Sequence, residues 1–318
     1  NNTPAQYKKE YQWLKEVDSL ALANAQMNLD RAYKNFFRDK SVGFPKFKSK
    51  KNNHYSYTTN NNQRDKTIKI IDDKYIKLPK LKTLVRIKLH RQIPKDGIIK
   101  SATISKNPSG KYYISILVEQ EIKQLPKSEF AVGIDLGLTD FAIISDGIKY
   151  PNPRYLKKSL NKLAKEQRKL SKKKKGSKNR NKQRIKVARL HEKIANQRKD
   201  FLHKLSFKLI NENQVICLED LQAKEIQQNK YLSQSVSDVG WYELRRQLEY
   251  KAKWYGRTIS FVDKYYPSSQ ICSNCGENTG KKPLDIREFD CPYCGTHHDR
   301  DINASINILH EGLKLLDK

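Results

Sequence analysis

The 318-residue chain carries 64 Lys and Arg against 34 Asp and Glu, a formal net charge of +30, with 37% hydrophobic residues. That length leaves room for two or three domains with a real core, and the charge points to a polyanionic partner, above all nucleic acid. A helical membrane protein is excluded, because no apolar run approaches the roughly 20 residues that span a bilayer. No leader-type segment is visible at Asn1-Asn2-Thr3-Pro4, and the cysteine usage suits a reducing, intracellular compartment.

Residues 7–38 read as a helix, with Leu22, Ala25, Leu29, Tyr33 and Phe36 recurring at three- and four-residue steps. Gly43 and Pro45 end it, and a basic linker follows from Lys46 to Lys51. The period then changes to two. Ile68 and Ile70 alternate with Lys69, an Asp72-Asp73 turn follows, and Val85, Ile87 and Leu89 alternate with Arg86, Lys88 and His90. After a turn at Asn107-Pro108-Ser109-Gly110, residues 111–118 are rich in Tyr and Ile. Short strands with tight turns and one polar face predict a small antiparallel sheet or barrel.

Pro126 marks a boundary. Phe130 to Asp135 and Phe141 to Ser145 read as strands around a Gly137–Asp140 turn. A basic helical stretch follows: Arg154 to Lys204 holds 21 Lys and Arg against 3 Asp and Glu, a net of +18. Its centre, Lys172-Lys173-Lys174-Lys175-Gly176-Ser177, predicts a turn between two helices. Val215 to Leu218 is a buried-type strand that ends in Glu219, with Cys217 within it as a small buried hydrophobe. Trp241, Leu244, Leu248, Ala252 and Tyr255 share one helix face, Gly256 stops that helix, and a strand covers Ile259 to Val262. The last helix carries Ile302, Ile306, Leu309 and Leu313 on one face. From residue 130 onward the order predicts an α/β layer architecture.

Two groups of residues carry chemistry. Cys272, Cys275, Cys291 and Cys294 spell C-x2-C-x15-C-x2-C, the spacing of two thiolate-bearing turns that close a tetrahedral, structural Zn2+ site. His297 and His298 adjoin the fourth cysteine and read as surface residues. The second group is carboxylate. Asp135 interrupts an otherwise apolar strand, Glu219 ends another, and Asp301 opens the last helix. An acid at the end of a core strand is costly unless paired or bound to metal. If the three ends converge they form an oxygen-only site for Mg2+ or Mn2+. Taken singly, Asp301 would be a helix N-cap or first-turn acid.

Residues 130–137 (Phe-Ala-Val-Gly-Ile-Asp-Leu-Gly), 215–221 (Val-Ile-Cys-Leu-Glu-Asp-Leu) and 299–304 (Asp-Arg-Asp-Ile-Asn-Ala) resemble the three split motifs of a RuvC-type nuclease. The whole chain is similar to the TnpB family, RNA-guided endonucleases of insertion sequences related to compact type V CRISPR effectors. Residues 241–256, 266–272 and 43–48 extend the likeness. It implies an α/β RNase H-like (RuvC) core with an inserted zinc ribbon, plus an N-terminal helical segment and an antiparallel β-barrel (wedge) domain. The implied layout is a recognition segment and linker over 1–50, the wedge over 51–125, and the core over 126–265 with its basic stretch at 154–204. The ribbon would cover 266–298 and the last motif 299–318. Family members usually carry a further strand and helix before the region matching Tyr7, which this sequence lacks.

By motif position the resemblance implies Asp135, Glu219 and Asp301 as the catalytic, magnesium-binding triad, with Asp299 in reserve for the third place. The expected activity is Mg2+-dependent endodeoxyribonuclease cleavage that leaves a 5′-phosphate. The expected partners are a guide RNA (omega RNA) and target DNA, with no small-molecule substrate, in the prokaryotic cytoplasm or nucleoid. Lys172, Lys173, Lys174, Lys175, Lys178, Arg180 and Arg184 would neutralise phosphates, since in such enzymes protein follows the backbone while pairing reads sequence. Lys34, Asn35 and Arg38 would touch DNA beside the target. The rival expectations are a nuclease-inactive RNA-guided repressor and a DNA-binding accessory factor of transposition.

Overall fold

The computed structural model describes residues 3–47, 55–221, 238–283 and 285–317. The chain divides into two compact units, one of residues 1–121 with 184–189 and one of residues 122–183 with 190–318.

In the first unit, helix α1 (Ser19–Arg38) begins later than its periodicity suggests. Residues 6–8 and 12–15 form separate 3₁₀ turns. The break falls at Asp18, whose carboxylate accepts the Ala21 amide at 3.1 Å and the Thr59 hydroxyl. An N-cap fixed from outside the helix stops it from extending backward. The strands are β1 (Tyr55–Asn60), β2 (Lys69–Ile71), β3 (Tyr75–Lys77), β4 (Val85–Arg86), β5 (Ile98–Lys106) and β6 (Tyr112–Glu119). Among the described residues they form two three-stranded antiparallel sheets, β1-β5-β6 and β2-β3-β4, with no strand pairing between them. Both contribute to one core, in which Ile68, Ile76, Leu78 and Ala102 are buried. The linker expected at Lys46 to Lys51 lies mostly outside the described residues.

The second unit is built on a five-stranded mixed sheet. Strands β7 (Ala131–Asp135), β8 (Asp140–Ile144) and β9 (Lys149–Pro151) form an antiparallel meander. Helices α2 (Tyr155–Ser171) and α3 (Lys178–Glu212) follow as a hairpin, and then β10 (Val215–Glu219), α4 (Trp241–Tyr255) and β11 (Thr258–Val262). Strand β10 lies parallel to β7 and to β11, giving the order β11-β10-β7-β8-β9. The main core packs Val132, Ile134 and Phe141 from the sheet against Leu202, Leu205 and Leu209 of α3 and Leu244 and Leu248 of α4. Gly256, at φ +68°, takes the left-handed conformation that ends α4. A small hairpin, β12 (Glu288–Asp290) with β13 (His297–Asp299), belongs to the cysteine-rich segment, and α5 (Arg300–Leu316) closes the chain.

One row of the sheet explains how α5 packs. Gly133, Cys217 and Ser260 stand side by side in register. A Cβ added at Gly133 would lie 2.0 Å from the Ser305 carbonyl oxygen, and one at Gly312 would lie 2.4 Å from Cys217 Sγ. The Ser260 hydroxyl donates to the Gly312 carbonyl at 2.8 Å. Small residues across three strands thus let the helix backbone approach the sheet closely, and this brings its N-terminus to the end of β7.

Candidate active site and metal centre

Asp135 and Glu219 are neighbours because their strands are. Leu218 pairs with Ile134 in the parallel register of β7 and β10, so each carboxylate follows one step later at adjoining C-terminal ends. Strands lie about 4.8 Å apart in that direction. The residues behind each acid, Val132 to Ile134 and Ile216 to Leu218, are fully buried, which anchors the two strand ends.

Asp301, the third expected member, lies in the first turn of α5, and among the described residues the oxygens of the three acids do not all lie within 4.8 Å of one another as the cysteine sulfurs do. The N-cap of α5 is not Asp301 but Asp299, whose Oδ1 accepts the amides of Asp301 and Ile302 at 3.0 Å each. Its Oδ2 meets Lys149 Nζ at 2.5 Å. Burial works against ionisation of Asp299, yet Lys149 and the helix amides hold its carboxyl below the usual range. With both oxygens engaged, Asp299 serves the helix end, and Asp301 is left in the first turn. Asp301 Oδ2 accepts from Arg287 at 3.3 Å.

The electrostatics couple Asp135 to the other two acids. Burial is the largest influence on Asp135, and the charges of Glu219 and Asp301 add to it, pushing its carboxyl up to about 7. Burial also raises Glu219, against a hydrogen bond from Ser268 Oγ to Glu219 Oε1 at 2.7 Å. Among the described residues neither Asp135 nor Glu219 forms an ion pair. Half-buried carboxylates whose charges oppose one another, with no ion pair of their own, are a donor set suited to a hard divalent ion.

The cysteines converge as their spacing predicts. The four Sγ atoms lie within 4.8 Å of one another, with Cys272–Cys294 and Cys275–Cys291 each at 3.7 Å. Four sulfurs about 2.3 Å from a tetrahedral Zn2+ stand roughly 3.8 Å apart, so the donors fit that ion. Hydrogen bonds from the Thr296 hydroxyl and amide and from Asn274 lower the Cys294 thiol, while that of Cys275 shifts upward, a backbone hydrogen bond at Glu277 being outweighed by the neighbouring sulfurs.

His298 departs from its expected surface position. It is 8% exposed, its Nε2 lies 3.1 Å from Cys272 Sγ, and its ring tilts against Phe289. Strand alternation in β13 turns His297 outward to Asp290, at 2.7 Å, and His298 inward.

Of the expected nucleic-acid contacts, Lys172, Lys174, Lys175 and Lys178 are exposed at the α2–α3 turn, while Lys173 is half-buried. Arg180 is taken up by the turn itself. Its Nη1 donates to the Leu170 carbonyl at 2.7 Å and the Lys173 carbonyl at 3.1 Å, closing the hairpin. Arg184 is half-buried in the first unit. On α1, Lys34 pairs with Asp30 at 2.9 Å and Arg38 bonds Asn35 at 3.4 Å.

Sequence reasoning did not single out Ser268, Lys149 or Arg287 beside the acids. Ser268 lies in the run Tyr266 to Cys272, quoted for its likeness alone, whereas Lys149 and Arg287 carry no local signal because only the fold brings them to α5.

The same regions of the chain match known families. Residues 114–230 match the family described as "Probable transposase" (OrfB_IS605), and residues 241–308 match the "Cas12f1-like, TNB domain" family. A Streptomyces pristinaespiralis protein named RNA-guided DNA endonuclease is 40% identical over 312 residues, spanning 96% of this chain and 74% of the relative. The Escherichia coli (strain K12) RNA-guided DNA endonuclease InsQ is 36% identical over 324 residues, spanning 96% and 78%. The structure is also similar to a chain of a cryo-EM Cas12f1–sgRNA–target DNA complex, with a TM-score of 0.62 at 14% identity over 91% of this chain and 71% of that one. At that identity the likeness is one of fold.

Proposed function

We propose a metal-dependent cleavage mechanism from one premise: the chain belongs to the TnpB-like family of RNA-guided DNA endonucleases. The five-stranded sheet is read as its RuvC-like core, and the two three-stranded sheets as its wedge. Asp135, Glu219 and Asp301 would hold Mg2+ or Mn2+. When bound, a pair of such ions activates water and stabilises the leaving oxygen in phosphodiester hydrolysis.

The chain's own residues prepare that chemistry. The strand ends hold Asp135 and Glu219 on adjoining strands, and the close seat of α5 on Gly133 would let Asp301 complete the set. Ser268 engages one oxygen of Glu219, which leaves the other for a cation. Asp299 and Lys149 fix the first turn of α5 without occupying the site. The cysteine centre is structural, because four thiolates leave no open position on Zn2+. The partners are a guide RNA and target DNA, with exposed Lys172, Lys174, Lys175 and Lys178 on phosphates and Lys34, Asn35 and Arg38 beside the target.

What supports this reading is that Asp135 and Glu219 end adjoining parallel strands, half-buried and without an ion pair among the described residues, and that the charge of Asp301 reaches Asp135. Its test begins with protein purified from cells that express the flanking DNA, with the bound RNA sequenced. The complex is then assayed on matching DNA with and without Mg2+. Asp135→Ala is expected to abolish cleavage while RNA and DNA binding persist. Parent-like cleavage by the variant would sink the triad.

A further inference from the structure

A series of short hydrogen bonds joins the first cysteine turn to Glu219. Ser268, 7% exposed, donates its hydroxyl to Glu219 Oε1 at 2.7 Å. The Ser268 carbonyl accepts from Asn307 Nδ2 at 2.8 Å, and the same nitrogen donates to the Ile271 carbonyl at 2.7 Å. Ile271 immediately precedes Cys272. Asn303, one turn earlier on α5, also donates to the Ile271 carbonyl at 2.7 Å, and its Oδ1 accepts the amide of Ser273 at 2.8 Å. The backbone on both sides of Cys272 is therefore held by the helix that carries Asp301.

These asparagines are 1% and 3% exposed. Buried amides at two successive turns of one helix face are costly unless satisfied. An apolar side chain would serve a helix that only needed to pack. What the amides add is direction, because they fix the Ser268 and Ile271 carbonyls and with them the hydroxyl that meets Glu219.

We propose that Ser268 is a positioning residue for Glu219, and that Asn303 and Asn307 tie this position to the Cys272 turn. This rests on the carboxylate reading above. A hydroxyl donor to one carboxylate oxygen holds the rotamer and directs the remaining lone pairs toward the ion. Losing such a partner typically costs about 10- to 100-fold in metal affinity. The tie also makes order in the cysteine centre a condition for order at Glu219.

The experiment measures Mn2+ binding to the whole zinc-loaded chain by calorimetry and by the electron paramagnetic resonance of free Mn2+. Zinc content is determined in parallel. Ser268→Ala is expected to weaken Mn2+ binding about tenfold with zinc retained, and Ser268→Thr, which keeps the hydroxyl, to restore it. Asn307→Leu is expected to weaken Mn2+ binding as well, and to speed zinc release to a chromogenic chelator. Parent-like Mn2+ affinity in Ser268→Ala overturns the positioning role, and unchanged zinc release in Asn307→Leu overturns the tie. Glu219→Gln separates the two levels. If it binds Mn2+ like the parent, the metal reading of the carboxylates fails. If it loses Mn2+ while Ser268→Ala does not, only the positioning role fails.

Discussion

At the scale of single residues, Asp135 and Lys251 of the second unit meet burial in opposite ways. Asp135 is kept from easy ionisation by burial and by its acidic neighbours, which is the condition a metal site exploits. Lys251 has no such outlet. It is 6% exposed, donating to Ser206 Oγ at 2.6 Å and to the His203 carbonyl at 3.1 Å, and burial lowers its ammonium to about 8. Both its partners are neutral acceptors, and the Phe207 ring lies 6.0 Å away. Below pH 8 the folded and unfolded chains both carry this proton, so the native state bears the whole cost of the buried charge. Between pH 8 and the ordinary lysine range the folded chain releases it first, and stability recovers as pH rises. The interval corresponds to at most about 3 kcal/mol. Lys251→Met is therefore expected to compare best with the parent at about pH 7 and to lose that relative advantage by about pH 10. Chemical denaturation of both proteins at the two pH values checks this, and a pH-independent difference would refute it.

At the scale of elements, the site depends on how closely α5 sits on β7, β10 and β11. Gly133 is the tightest point of that seat, since a methyl there meets the Ser305 carbonyl and the Leu309 amide, both backbone atoms that cannot swing away. Gly133→Ala is expected to cost about 3 kcal/mol, read as a lower denaturation midpoint, and to depress cleavage further by drawing Asp301 away from Asp135. Parent-like stability would show that the helix can shift without loss. The sequence made much of this element arrangement legible. Apolar runs interrupted by one acid marked β7 and β10, Gly256 marked the end of α4, and the C-x2-C pairs marked the metal centre. What it hid has physical causes. Tyr7, Tyr11 and Leu14 repeat like a helix face, but Asp18 binds both α1 and Thr59 and stops the helix there. Asp299 and Asp301 look equivalent in a row of acids, and only the hydrogen bonds of the first turn separate cap from site. His298 turns inward because β13 alternates, and no composition signal announces a strand of three residues. Ser268, Asn303 and Asn307 matter through partners in other segments, which no local pattern encodes.

At the scale of the whole molecule, +30 is more charge than solubility needs, and the α2–α3 hairpin concentrates it without building it into the core. Gln183 bonds the Glu166 carbonyl and carboxylate at 3.0 and 2.6 Å, Ser177 caps α3, and Arg180 closes the turn. These contacts hold the hairpin, while Lys172, Lys174, Lys175 and Lys178 project from it, their side chains making no ion pair among the described residues. Phosphate contacts release counterions, so each adds about 0.7–0.9 to the slope of log affinity against log salt. Replacing those four lysines with Ala is expected to reduce the slope for guide RNA by up to about 3 and weaken binding most at low salt, with the melting temperature unchanged. Arg180→Ala is expected to do the reverse, lowering the melting temperature with little effect on the slope. If the four-lysine variant binds RNA with the parent's salt dependence, the excess charge on the hairpin serves some other surface, and the guide must lie along a different face of the protein.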